Sequence, residues 1–91
     1  MKFMITWKIS PGAYKPAIEQ FLATKAPPPA GLETVGRWHA PGSNYGWHLV
    51  QGDVAALAQH TAEWADVCEI EMTPVIEDDA AATSLSKVHG K

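Results

Sequence analysis

Cysteine is nearly missing from this chain, which has only Cys68. A lone thiol closes no internal disulfide, so a disulfide-stapled scaffold is excluded and a reducing compartment is favoured. A dominant charge is missing as well. The formal net charge is −3, and no basic stripe exists to follow a phosphate backbone, so nucleic-acid binding is not expected. No apolar run approaches the roughly 20 residues of a membrane-spanning helix, so no membrane partner is expected either. The opening Met1-Lys2-Phe3-Met4-Ile5-Thr6-Trp7-Lys8 is too short an apolar run for a signal peptide, and the chain is expected to be cytoplasmic. Neither His-x-His nor Cys-x-x-Cys spacing occurs, so no metal and no cofactor are expected.

Apolar residues, by contrast, are plentiful. They make up 46% of the 91 residues, which argues against disorder, and four of them are tryptophans. A chain of this length is one domain. It buries only about two-thirds of the surface its unfolded form exposes, so a partner subunit would help its core.

Hydrophobic periodicity divides the chain. Residues 2–9 alternate, with Phe3, Ile5, Trp7 and Ile9 on one side, and read as a strand. Over residues 13–25 the period lengthens: Tyr14, Ala17, Ile18, Phe21 and Leu22 form a helical stripe. Pro27-Pro28-Pro29 ends that helix. Residues 32–40 and 45–51 alternate again around the turn Pro41-Gly42-Ser43-Asn44 and predict an antiparallel hairpin. If Ala40 pairs with Tyr45, Trp38 meets Trp47, Gly36 meets Leu49 and Arg37 lies beside His48. Asp53 is a good N-cap for a second helix over 54–67, and 69–76 reads as the last strand.

The order β-α-β-β-α-β is the ferredoxin-like α+β motif, a four-stranded antiparallel sheet with two helices on one face. A domain over residues 1–79 and a tail or short helix over 80–91, able to contact a partner subunit, are expected. The four tryptophans read as core, with Trp38, Trp47 and Leu49 expected to join Phe3, Ile5 and Trp7 beneath the helices. The other face would then carry Thr6, Arg37, His39, His48, Glu69 and Glu71. Two such faces, stacked about a dimer axis, would enclose a mixed-polarity cavity.

Met1 to Lys8, Gly36-Arg37-Trp38-His39, Ala62-Glu63-Trp64 and Thr73-Pro74-Val75 resemble a family of small bacterial proteins of unknown function. That family lies within the dimeric α/β-barrel group, whose protomers are ferredoxin-like. The resemblance implies the fold and a homodimer; it implies no activity and transfers no catalytic residue.

Arg37, His39, His48, Glu69, Glu71 and Thr6 are the candidate ligand-binding residues. Histidine titrates near neutrality, and arginine holds oxyanions with paired hydrogen bonds. The plainer alternative pairs Arg37 and the histidines with Glu69 and Glu71 across the sheet or the dimer seam, which would raise the histidine pKa values. His60 reads as a surface or helix-edge residue, and Cys68 as a small buried hydrophobe. Three roles compete. They are a dimeric barrel binding a small anionic or aromatic metabolite, a non-catalytic interaction dimer, and a cofactor-independent oxygenase- or isomerase-like enzyme with a histidine base.

Overall fold

A computed structural model describes residues 1–90. The elements are β1 (Lys2–Ile9), α1 (Tyr14–Thr24), β2 (Leu32–His39), β3 (Tyr45–Gly52), α2 (Val54–Trp64), β4 (Cys68–Val75) and α3 (Asp78–His89). The four strands form one open antiparallel sheet in the order β2-β3-β1-β4. This is the ferredoxin-like α+β arrangement that the changes of period predict, with α3 added after β4.

Local chemistry explains where the helices begin and end. Asp53 accepts the N–H groups of Ala55 and Ala56 at 2.8 and 3.4 Å, a cap that stabilises α2 by about 1 kcal/mol. α1 lacks a side-chain cap, but Tyr14 donates its hydroxyl to the Gly42 carbonyl at 2.6 Å and ties the helix to the hairpin turn. At its other end Lys25 turns left-handed, with φ of 61°, and the prolines that follow prevent continuation.

The hairpin register is the expected one. Ala40 donates to the Tyr45 carbonyl, Trp38 lies opposite Trp47, Arg37 opposite His48 and His39 opposite Gly46. Its two faces, however, are reversed. β3 pairs with β1 so that Ile5 meets His48, Trp7 meets Gly46 and Phe3 meets Val50. Opposed residues share a face. Arg37, His39, His48 and Val50 therefore lie under the helices, while Trp38, Tyr45, Trp47 and Leu49 line the open face. Packing explains the choice: Gly46 has no side chain, and the Trp7 indole occupies the space a Cβ would fill. The expectation that all four tryptophans are core is corrected accordingly. Trp38 is 54% exposed and Trp47 39%.

A β-bulge between Thr34 and Gly36 completes the arrangement. Thr34 pairs with Val50 and Gly36 with Leu49, so the extra residue brings both Thr34 and Arg37 to the helix side. Phe3, Ile5, Leu32, Val50, Ala56 and Leu57 form the main core, and Ile9, Ala17 and Cys68 a second cluster. Trp7 and Ile70 pack against both. α3 buries no residue, and a 3.0 Å ion pair between Lys2 and Glu77 marks its base.

Candidate functional site

Between the sheet and the helices α1 and α2 lies a cavity of about 80 Å³. Its walls are largely apolar, built from Ile5, Trp7, Phe21, Trp64 and Ile70 among others. The polar side chains that reach it are Arg37, His39, His48 and His60, with the hydroxyls of Ser43 and Thr61.

Arg37 comes from β2 and bridges to the end of α1. Its Nη1 donates to the Lys25 carbonyl at 3.0 Å, and its Nη2 to the Ala26 carbonyl at 2.6 Å. These carbonyls lie at the C-terminal end of α1, where the helix dipole favours a cation. The guanidinium carbon lies over the Phe21 ring, 5.9 Å from its centre. Nη2 also lies 3.2 Å from His48 Nε2. Guanidinium has donors only, so His48 Nε2 must accept. The Thr34 hydroxyl, 2.8 Å from the same nitrogen, donates to it too. The arrangement assigns His48 as the neutral tautomer with its proton on Nδ1.

Electrostatics agree with that assignment. Burial, then the Arg37 charge, then His60 push the His48 pKa down to about 3. His60 is lowered by burial and by Arg37, against an opposing pull from Glu63. Both rings are neutral at physiological pH, the form that accepts and donates hydrogen bonds without net charge.

His60 is 5% exposed, and its Nδ1 is enclosed without a hydrogen-bond partner among the described residues. Glu63 Oε1, at 3.9 Å, is too far away to satisfy it. The ring meets His48 nearly edge-on, with centroids 5.4 Å apart. At the exposed end of the cavity, His39 stands edge-on to Trp7 at 5.3 Å and to Phe21 at 5.1 Å.

The candidate residues thus divide between two faces. Arg37, His39 and His48 converge on the cavity. Thr6, Glu69 and Glu71 lie on the open face beside Trp47 and Lys8, all three exposed. Ion pairs from Glu69 and Glu71 to His39 and His48 do not form, and the His48 pKa is lowered rather than raised. His60, expected at a helix surface, is buried instead. Its spacing from Leu57 and Trp64, three residues after one and four before the other, was the available signal.

The family model for a domain of unknown function, DUF3303, matches residues 1–89. The chain belongs to the DUF3303 family. Membership spans nearly the whole chain and carries no activity with it. No curated protein and no solved structure matches the sequence. For this DUF3303 protein, function has to be read from the cavity and from the open face of the sheet.

Proposed function

We propose that this DUF3303 protein binds a small, planar, mostly apolar metabolite in the cavity between its sheet and helices, and that it works as a homodimer. The observation that carries the reading is the orphaned Nδ1 of His60, a residue that lines the cavity and is almost wholly removed from water. Enclosing an unsatisfied polar atom costs about 1–3 kcal/mol, a cost that a ligand's hydrogen bond would relieve once the His60 ring turns toward it. Apolar walls with a few convergent polar groups are the usual make-up of a small-molecule site. Titration of ¹⁵N-labelled protein with small cyclic compounds, followed by amide NMR, tests it. Shifts concentrated at His60, Thr61, Trp64 and Phe21 are expected. Shifts scattered over the surface, or confined to the open face, would contradict it.

A second reading, a non-catalytic interaction dimer, is supported by the open face itself. Trp38, Tyr45 and Trp47 are each more than one-third exposed there, and Met4 and Leu49 lie on the same face. Exposed aromatic clusters of this kind favour association. α3 supports it as well: a helix of 12 residues is marginal alone in water, so we infer that it lies against the partner subunit. Sedimentation equilibrium should give a dimer for the wild type and a monomer for a Trp38→Ser, Trp47→Ser variant. A monomeric wild type would overturn the dimer.

A further inference from the structure

The hydrogen bonds around the cavity limit what its occupant can be. Arg37 looks at first like an anion clamp, but three of its five N–H donors are already committed to the Lys25 and Ala26 carbonyls and to His48 Nε2. A full carboxylate would need several donors in a largely apolar space, and few remain. Thr61 already donates its hydroxyl to the Leu57 and Ala58 carbonyls and Ser43 belongs to the hairpin turn, so what the inner cavity offers is a pair of neutral imidazoles. His48 holds its proton on Nδ1, for which no protein acceptor is found among the described residues, because Nε2 already accepts from Arg37 and Thr34. His60 has an enclosed ring nitrogen with no partner. One imidazole can donate and the other can accept, with ring centres 5.4 Å apart. A hydroxyl group is both donor and acceptor, and satisfies both.

We propose that the cavity selects a planar molecule carrying one weakly acidic hydroxyl, of the phenol or enol class, with that hydroxyl accepting from His48 and donating to His60. This deepens the preceding reading and rests on it. Three further features of the site fit the class. The remaining walls offer the faces and edges of Trp7, Phe21 and Trp64 to a flat ring. Arg37, close to both histidines, favours partial negative charge on the hydroxyl oxygen without supplying a salt bridge. The cavity, about 80 Å³, is smaller than the roughly 150 Å³ that houses a benzene ring, so the inner space takes the hydroxyl end. The rest of the ring enters the mouth, where His39 is held only by edge contacts to Trp7 and Phe21. The charged and titratable groups around the site are Arg37, His39 and His48 from the sheet, His60 and Glu63 from α2, and Cys68 from β4. None of them is a carboxylate inside the cavity that would repel the hydroxyl oxygen.

The test uses three probes of nearly equal shape, read by ¹⁹F NMR on the full chain: fluorobenzene, 4-fluorophenol and 4-fluorobenzoate. The wild type should bind 4-fluorophenol at least about tenfold more tightly than either of the others, the discrimination expected when a paired polar group is present or missing. His60→Leu should abolish the preference for the phenol over fluorobenzene, and His60→Gln should recover part of it. Equal binding of fluorobenzene and 4-fluorophenol by the wild type would overturn the hydroxyl inference and leave the cavity reading standing. Tightest binding of 4-fluorobenzoate would replace it with anion capture by Arg37. Binding of none of the three would overturn both. The wild-type comparison decides even if the His60 variants fail to fold.

Discussion

Arg37→Met isolates the guanidinium from its stem. Methionine keeps an unbranched apolar chain beside Phe21 but removes the charge and every donor. Three hydrogen bonds disappear, those to the Lys25 carbonyl, the Ala26 carbonyl and His48 Nε2, together with the charge over the Phe21 ring. A hydrogen bond from a charged donor contributes about 1.5–3 kcal/mol when enclosed. Arg37 is only partly buried, and water can replace part of what is lost. The combined loss comes to about 2–3 kcal/mol, which lowers the Tm of a domain this small by roughly 10–20 °C. The same substitution removes the second cause of the His48 shift. The His48 pKa should rise from about 3 and stay below 6.5, because burial, its first cause, remains. Thermal denaturation and a histidine-ring NMR titration measure the two effects on one sample. A Tm change under about 3 °C with His48 unmoved would refute the bridging role of Arg37.

Other perturbations test separate parts of the account. His48 and His60 are neutral when folded and take up protons when unfolded, so their contribution is complete above about pH 7 and is lost progressively from about pH 6.5 down towards the folded value, about 3 for His48. Each histidine should steepen the loss by up to about 1.4 kcal/mol per pH unit, and a urea midpoint unchanged between about pH 7.5 and pH 5 would contradict this. Gly46→Ala places a methyl against the Trp7 ring and the Trp38 carbonyl and should cost about 1–3 kcal/mol in urea denaturation; a neutral result would mean that Trp7 does not pack over Gly46. Asp53→Ala removes the cap of α2 and should cost about 1 kcal/mol by the same assay, with no change counting against the cap. Ending the chain at Glu77 removes a helix with no buried residue, so the protomer's stability should change by less than about 0.5 kcal/mol while self-association weakens; a large stability loss would show that α3 packs on its own subunit.

The fold was legible because its signals are local. Alternation in Phe3-Ile5-Trp7-Ile9, the helical stripe ending at Leu22, the proline stop and the Asp53 cap each fix an element with no knowledge of the others. The turn at Pro41 to Asn44 likewise fixed the hairpin register, and so placed Arg37 beside His48. Which way that hairpin faces is decided elsewhere, where β3 meets β1 and Trp7 fills the space over Gly46. Alternation gives two faces and cannot say which one the helices cover. An aromatic face suggests core and an Arg–His face suggests the side away from the helices, and the packing of Trp7 over Gly46 reverses both. The bulge at Thr34, the carbonyls of Lys25 and Ala26 and the burial of His60 are tertiary features. They make a cationic and imidazole-rich cluster tolerable under the helices, and no residue spacing announces them.

The most direct test of the central claim is long-range ¹H–¹⁵N NMR of the histidine ring nitrogens in the folded chain near neutral pH. A neutral His48 with its proton on Nδ1, and a neutral His60 beside it, is the result predicted for a cavity with one free donor and one free acceptor. A cationic ring at either position, or a His48 proton on Nε2, would contradict the hydrogen-bond arrangement on which the site is built.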